Sequence, residues 1–316
     1  MSTRALSDRA VRIEARAKLN LGLAVGPRRP DGFHELITVF QSISLADTLL
    51  IRPRARGFSL EIRHQDVSVG HAGRRASRPR IPAGADNLVL RAAHALAARR
   101  PGVRGAHITL IKRIPVQAGL GGGSADAAAT LIGLARLYRQ RLTLAERMDL
   151  AAALGSDVPF AMVGGTALGR GRGERLTALT LTAPFRVLIA QPAWGVSTAL
   201  AFRRIDLAKY GLTGWGAKLR FAQRLASERL SPREALALGN TFEQVLGDRT
   251  AAFVALRARL RACGVDGSRM TGSGSAVFGI LPVGRSLPRA IERFEGHERL
   301  FAARSVGSAW RAATVG

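Results

Sequence analysis

The chain has 316 residues, 47% of them hydrophobic, and a formal net charge of +26. This length and composition suffice for two domains, each with its own core. They exclude a membrane-spanning helix, because no apolar run is long enough to cross a bilayer, and residues 1–20 carry charges where a signal peptide has its apolar centre.

We therefore expect a cytoplasmic protein, either a monomer or a homodimer, with no membrane partner. The single cysteine, Cys263, excludes an internal disulfide and a cysteine-based metal site. Its sequence context, near a helix end, favours a small buried residue over a nucleophile.

The positive charge comes almost entirely from arginine. Lysine occurs only at Lys18, Lys112, Lys209 and Lys218 among the 48 basic residues. The arginines are spread singly along the chain and are not interleaved with aromatic residues, as they often are on nucleic-acid surfaces. We attribute the charge to a compositional bias that leaves a solvated basic surface, able to attract anionic substrates. A basic nucleic-acid-binding protein stays open as the alternative.

The first third of the sequence predicts mainly strands. Short alternating or β-branched runs are separated by Gly, Pro and Asp, and they cover 11–25, 36–45, 48–54 and 107–115. One helix interrupts them over 85–99, with Asp86 placed to cap it. The preceding segment, 70–85, is polar and rich in Gly, Pro and Arg, which indicates a surface loop.

The remainder of the sequence mixes helices and strands. A helix is expected to begin near Ser124, and capping boxes open two more at Thr143 and Ser231. Further strands are predicted at 186–192 and 276–282. Without regular βαβ alternation, the pattern favours the α+β class. Residues 164–184 are the most linker-like stretch, and we place the boundary there, giving domains 1–180 and 181–316.

The segment "VQAGLGGGSADAAATL", residues 116–131, has the composition of an anion site. Its glycines let backbone N–H groups converge on an anion, and the following helix adds the positive end of its dipole. The segment lacks the GK[ST] ending of a P-loop and the third glycine of the dinucleotide motif. A tight strand-to-helix turn with small residues is the alternative.

Two other stretches support the prediction of an anion-binding site. Residues 270–279, "MTGSGSAVFG", form a second glycine-serine loop that enters a strand. In "ARAKLNLGLAVGPRRPDGFHEL", residues 15–36, Lys18 and Asn20 share one strand face. Lys18 on an otherwise apolar strand needs an anionic partner, either an aspartate or a phosphate.

These three stretches, in this order, resemble the three motifs of the GHMP kinases, the superfamily of galactokinase, homoserine kinase, mevalonate kinase and phosphomevalonate kinase. Within it, "RPDGFHEL" and "GSDVPF" resemble the kinases whose alcohol substrate is a cytidine diphosphate-linked methylerythritol. The resemblance implies two α+β domains with the active site in the cleft between them, ATP and Mg²⁺ as cofactors, and a small-molecule substrate rather than a nucleic acid.

The resemblance also implies roles for individual residues. Asp157 becomes the base that accepts the hydroxyl proton, and Lys18 supports it. The ATP contacts fall on Asn87, Pro115, Gly119, Leu120, Gly121, Gly122, Gly123, Ser124 and Ala125. The substrate contacts fall on Asn20, Phe33, His34, Asp157 and Thr198. No histidine shows metal-ligand spacing, which fits a Mg²⁺ held mainly by phosphates and water.

Several of these residues have simpler explanations. Asp157 could cap a helix, His34 could be a turn residue after Asp31-Gly32, and Asn240 of an "N-x-x-E" signature could also be a cap. Ala125 departs from the family pattern, since most members carry a second serine there, which puts one phosphate or magnesium contact in question. A mevalonate- or homoserine-type GHMP kinase is the alternative enzyme.

Overall fold

The computed structural model describes residues 10–70, 81–208, 214–227 and 229–315. Most of the predicted arginine-rich loop, residues 71–80, lies outside the described residues. Helices and strands alternate irregularly along the chain, so the α+β class is confirmed.

The strands are β1 Ala10–Arg28, β2 His34–Pro53, β3 Gly57–His64, β4 Gly105–Lys112, β5 Thr166–Gly171, β6 Arg175–Ala178, β7 Arg186–Gln191, β8 Asp266–Met270, β9 Val277–Leu281, β10 Arg299–Arg304 and β11 Trp310–Val315. The α-helices are α1 Leu88–Arg99, α2 Gly122–Leu137, α3 Leu144–Leu154, α4 Val158–Val163, α5 Thr198–Ala208, α6 Trp215–Ser227, α7 Pro232–Leu236, α8 Thr250–Ala262 and α9 Leu287–Glu292. Short 3₁₀ helices cover Thr241–Gln244 and Gly247–Arg249.

The strands form two sheets. The first has seven strands in the order β11-β1-β2-β4-β3, with β5 on β2 and β6 on β5. The second has four, in the order β10-β7-β9-β8. Because β11 returns to pair with β1, the end of the chain completes the sheet that the beginning starts.

Strand β2 is longer than the sequence pattern indicates, since the two runs predicted at 36–45 and 48–54 are one strand. Asp47, which resembles a break between them, is fully buried. Its carboxylate accepts hydrogen bonds from Lys112 and from the backbone N–H groups of Arg113 and Ile114, and these partners make a strand-internal aspartate tolerable.

The length of β2 also explains the stretch expected to be a linker. The later part of β2 pairs with β4, and its earlier part, Leu36 to Gln41, pairs with β5. Residues 166–178 therefore form the hairpin β5–β6 at the edge of the first sheet instead of a linker. The division of the chain near residue 180 stays a prediction.

Of the three helix caps predicted from the sequence, two are confirmed and one differs. Both capping boxes, at Thr143 and Ser231, are confirmed. Helix α1, by contrast, is capped by Asn87 and not by Asp86, because the Asn87 side chain accepts a hydrogen bond from the N–H of Val89.

Helix α2 fixes the position of the glycine-rich segment. Nearly all its residues are buried, and a side-chain carbon at Gly133 would lie 2.3 Å from Ile51 on β2. The glycine therefore lets α2 lie close against the sheet. The N-terminus of α2, which begins at Gly122, lies beside the end of β4, because a side-chain carbon at Gly122 would lie 3.0 Å from Lys112 Nζ and from Ile114.

Candidate active site

Lys18 and Asp157 form an ion pair in a cavity between the two halves of the chain. Lys18 Nζ lies 3.3 Å from Asp157 Oδ2, and the lysine side chain is 8% exposed against 35% for the aspartate. Asp157 is the residue that precedes α4, but its side chain makes no capping hydrogen bond. The carboxylate therefore faces the lysine and the cavity instead of the helix.

Asn20 orients the lysine and ties it to the second glycine-serine loop. Its Oδ1 accepts hydrogen bonds from Lys18 Nζ at 2.6 Å and from the N–H of Gly272 at 2.9 Å. Its Nδ2 donates to Thr38 Oγ1 at 2.7 Å. Because Asn20 is buried and its polar atoms are engaged, its position depends on both halves of the chain.

The two glycine-serine loops touch each other. A side-chain carbon at Gly119 would lie 2.0 Å from the carbonyl oxygen of Thr271, and Gly119 has φ +77°. Thr271 Oγ1 in turn donates a hydrogen bond to the Gly119 carbonyl, at 3.1 Å. Only glycine at position 119 allows this approach.

Asn240 and Glu243 of the N-x-x-E signature form hydrogen bonds to the backbone of the second glycine-serine loop. Asn240 caps the 3₁₀ helix through Phe242, and its Nδ2 also donates to the carbonyls of Met270 and Gly272. Glu243 accepts from the N–H of Met270 at 2.8 Å, and burial raises the pKa of this carboxyl. Asn240 is thus a cap and a loop support at once.

The glycine-rich segment presents free donors at the start of α2. Gly121 has φ +68° and precedes the helix without any side-chain capping bond. The first N–H groups of an α-helix have no acceptor within it, so those of α2 point toward the adjoining space with the positive end of the dipole. This is the geometry of an anion site.

A cavity of about 350 Å³ lies over that segment; we call it the smaller cavity. It is lined by residues from the start of α1, the end of β4 and the glycine-rich segment: Ile81, Asn87, Leu88, Leu110, Lys112, Pro115, Val116, Gln117, Ala118, Gly119, Leu120, Gly121, Gly122, Gly123, Ser124 and Asp126. Of the nucleotide contacts expected from the sequence, all but Ala125 line it.

Ala125 lies elsewhere. Its side chain is 3% exposed and belongs to the core beneath the sheet. Its N–H donates to the carbonyl of Gly121 as part of the helix. The residue therefore offers neither a side chain nor a free amide to the smaller cavity.

A second cavity, of about 770 Å³, meets the first at the glycine-rich segment; we call it the larger cavity. Gln117, Gly119, Gly121 and Ser124 line both. The larger cavity also receives Lys18, Asn20 and Asp157 from the first half of the chain, and Thr198 and the second glycine-serine loop from the other half. Thr198 Oγ1 lies 2.7 Å from Ser273 Oγ, which links α5 to that loop.

Aromatic groups line the larger cavity at the start of β2, where His34 pairs with Arg28, while Lys18 pairs with Ser42 farther along the same two strands. Phe33 is 50% exposed there, while His34 is buried and donates from Nε2 to Asp206 at 2.8 Å. The His34 ring stacks on Phe202, with centroids 5.1 Å apart. His34 is therefore held by partners on α5, which answers the alternative of a plain turn residue; Phe202 and Asp206 gave no sequence signal.

A buried charge cluster lies under the glycine-rich segment, and the sequence did not reveal it. Lys112 Nζ lies 2.5 Å from Asp47 Oδ2 and 2.6 Å from Asp126 Oδ2. Burial raises the pKa of Asp126 to about 8, and Asp126 Oδ1 has no hydrogen-bond partner among the described residues. Desolvation acts to lower the pKa of Lys112, but the two carboxylates outweigh it and raise that pKa, so the lysine stays charged.

Within the described ranges there is no cluster of three or more His, Cys, Asp or Glu side chains that could hold a metal ion. Likewise, among the helices of residues 10–70, 81–208, 214–227 and 229–315, none is long and apolar enough to cross a membrane.

Family models match both halves of the chain. The GHMP kinases N terminal domain matches residues 87–165, and the GHMP kinases C terminal model matches residues 225–311. The first range contains the glycine-rich segment and Asp157, and the second contains Asn240 and the second glycine-serine loop. These matches and the two cavities define a two-domain, ATP-dependent small-molecule kinase of the GHMP class.

Curated relatives narrow the class. The chain is 42% identical to 4-diphosphocytidyl-2-C-methyl-D-erythritol kinase of Moorella thermoacetica, over 90% of this chain and 94% of that protein. It is 43% identical to the same kinase of Pelotomaculum thermopropionicum, over 84% and 87%. The chain belongs to the 4-diphosphocytidyl-2-C-methyl-D-erythritol kinase family.

Solved structures agree. A crystal structure of 4-(cytidine 5'-diphospho)-2C-methyl-D-erythritol kinase is 35% identical in sequence and superposes with a TM-score of 0.72. The match covers 94% of this chain and 100% of that chain. The crystal structure of L. major mevalonate kinase superposes with a TM-score of 0.62 at 14% identity, over 93% of this chain and 95% of its own. The second likeness concerns the fold alone.

Proposed function

We propose that the chain transfers the γ-phosphoryl group of ATP to the 2-hydroxyl of 4-diphosphocytidyl-2-C-methyl-D-erythritol, with Asp157 as the base. The observation that carries this proposal is the ion pair of Lys18 and Asp157, 3.3 Å apart in the larger cavity. The glycine-rich segment touches Lys18 at Gly121, and Phe33 and His34 line the same cavity from the start of β2. Donor and acceptor would therefore meet at this pair.

ATP binds in the smaller cavity, with its phosphates at the glycine-rich segment. The uncapped start of α2 offers backbone donors and a positive dipole end. Asn87 and Pro115 line the same cavity and contact the nucleoside. Because the two cavities join at Gly119 and Gly121, the terminal phosphate is directed toward Lys18.

Asp157 accepts the proton of the acceptor hydroxyl. Phosphoryl transfer asks chiefly for positioning and charge neutralisation, so one carboxylate with one ammonium beside it is chemically sufficient. The Lys18 ammonium, 3.3 Å from the carboxylate, neutralises charge that develops on the transferred group. Asn20 holds the ammonium in place through its 2.6 Å hydrogen bond.

Phe33 and His34 bind the cytosine ring. A half-exposed aromatic ring offers a stacking surface, and an imidazole fixed by Asp206 offers a hydrogen-bonding edge to a base with both donors and acceptors. Thr198 and Asn20 contact the part of the substrate between the base and the hydroxyl.

Mg²⁺ serves as the second cofactor and neutralises phosphate charge when bound. The ion would be held mainly by phosphate oxygens and water. Ser124, at the junction of the two cavities, is a hydroxyl that phosphate or ion can reach.

A coupled ADP-release assay against a panel of alcohols tests the proposal. We expect turnover with the cytidyl diphosphate substrate and none with mevalonate or homoserine. We also expect CDP to compete with the alcohol substrate but not with ATP. Turnover of mevalonate or homoserine without inhibition by CDP would overturn the assignment.

A further inference from the structure

The tip of the β5–β6 hairpin brings an arginine to the larger cavity. Arg172 follows β5 directly and lines the cavity beside Phe33. The carbon of its guanidinium lies 4.8 Å from the centroid of the Phe33 ring. The side chain is half-buried, so it stands at the rim of the cavity and not on open surface.

The hairpin that carries Arg172 is held in place. Glu35, next to His34, accepts hydrogen bonds from the N–H of Gly171 at 3.0 Å and from Arg175 at 2.9 Å. The N–H of Arg172 itself donates to Glu174 at 2.6 Å. These bonds fix the backbone at the tip, and with it the point from which the guanidinium reaches the cavity.

Three other cations near the larger cavity have carboxylate partners. Arg29 pairs with Asp31 and Glu35, and Arg175 pairs with Glu35. Deeper in the cavity Lys18 pairs with Asp157.

Arg172, by contrast, forms no ion pair with any carboxylate of residues 10–70, 81–208, 214–227 or 229–315. The charge of Arg172 helps to lower the pKa of Asp31. The hydrogen bond from Arg29 is the largest cause of that lowering, and the charge of Arg172 is the smallest. A guanidinium at a cavity rim that lies over an aromatic ring and forms no ion pair within the described ranges is available to an anionic ligand.

We propose that Arg172 binds the diphosphate of the cytidine-linked substrate and so helps to select it over alcohols without a diphosphate. This inference rests on the proposed function, because it takes the cytosine to lie at Phe33 and the hydroxyl at Asp157. The diphosphate joins those two parts of the substrate, and a guanidinium matches phosphate oxygens with two parallel hydrogen bonds.

The test compares CDP with cytidine, since only CDP carries the diphosphate. Arg172→Gln should weaken CDP binding about 10- to 30-fold, as loss of a charge-assisted hydrogen bond at a half-exposed site does. Binding of cytidine and of ATP should change less than about twofold. Arg172→Lys should restore part of the CDP affinity, because it keeps the charge but not the planar donor pair.

Arg170→Gln is the matched control. Arg170 lies on the same hairpin and is exposed, but it does not line the cavity. The control loses the same charge and should bind CDP like the wild type. Dissociation constants from calorimetry, with thermal melts to compare folding, give the comparison.

Two results would overturn the inference. An equal loss of CDP and cytidine affinity in Arg172→Gln would mean that the arginine acts through the Phe33 ring, and unchanged CDP affinity would mean that it makes no contact. Failure of the proposed function looks different, because the wild-type protein itself would then bind neither CDP nor cytidine.

Discussion

Lys18 Nζ and Asp157 Oδ2 lie 3.3 Å apart, although one residue is on the first strand and the other precedes the short helix α4. The lysine is nearly buried and the carboxylate is partly open to the larger cavity. An ammonium that is buried while its carboxylate partner stays accessible leaves the carboxylate free to meet a substrate hydroxyl. This asymmetry is what a base supported by a lysine requires.

Replacing Asp157 with Asn should lower kcat by roughly 10²- to 10⁴-fold, the usual contribution of general base catalysis. The amide keeps the shape of the side chain but cannot accept the proton. ATP affinity should stay nearly unchanged, because Asp157 lines only the larger cavity. Steady-state kinetics and nucleotide titration measure the two effects separately.

Asp149→Asn is the control for this substitution. Asp149 lies on α3 with a side chain 68% exposed, and its ion-pair partner within the described ranges is Arg99, at 3.8 Å. Its replacement should leave kcat as it is. Wild-type turnover in the Asp157 variant would remove the base from the proposed mechanism.

Gly119→Ala should destabilise the fold by about 1–3 kcal/mol, because a left-handed backbone disfavours a side chain and overpacking adds to the cost. The added carbon would lie 2.0 Å from the Thr271 carbonyl, so the two loops must separate. The Michaelis constant for ATP should rise with that separation. Urea unfolding and kinetics at varied ATP test both statements.

Gly123→Ala is the comparison for stability. A side-chain carbon there would meet only Leu88, at an ordinary 3.5 Å, and the position is helical. Exchanging glycine for alanine inside a helix stabilises by about 0.5–1 kcal/mol. Equal unfolding midpoints for the two alanine variants would contradict the close approach of the loops.

Phe33→Leu should raise the Michaelis constant of the cytidine-linked substrate about tenfold, since stacking of one base on an aromatic ring contributes about 1–3 kcal/mol. The Michaelis constant for ATP should not change, because Phe33 does not line the smaller cavity. Phe33→Tyr retains the ring and should behave like the wild type. If Phe33→Leu has the same Michaelis constant for the cytidine-linked substrate as the wild type, the cytosine ring does not stack on Phe33.

Asp126 should make stability depend on pH. Its pKa is raised by burial to about 8 in the folded state, against about 3.9 in an unfolded chain. The folded state therefore binds more protons between these values, and the free energy of unfolding falls as pH rises through them, by up to about 1.4 kcal/mol per pH unit. The stabilising contribution of protonated Asp126 is fully present below about pH 4. It is lost as pH rises from there through about 8.

Asp126→Asn removes that proton and keeps the shape of the side chain. Urea unfolding of the wild type and the variant at pH 6 and pH 8.5 should show the wild type losing more stability over the interval. Asp149→Asn, at an exposed site, should follow the wild type. Parallel profiles for the wild type and Asp126→Asn would mean that Asp126 is already ionised at pH 6.

Features that depend on neighbouring residues in the sequence could be predicted from the sequence alone. The glycine-rich segment, the capping boxes at Thr143 and Ser231, and Lys18 on an apolar strand are all legible from spacing and composition. A capping box needs only four consecutive residues, so nothing distant can obscure it. The same locality made 166–178 look like a linker, because glycines and arginines hid a sheet-edge hairpin.

The sequence by itself determined the α+β class, the anion-binding character of the glycine-rich segment, and, through resemblance, the family. Only the tertiary structure decided which distant groups meet: Lys112 with Asp47 and Asp126, His34 with Asp206 and Phe202, and Arg172 with Phe33. Each of these contacts joins separate elements. Their proximity follows from strand pairing and helix packing, which no short run of residues encodes.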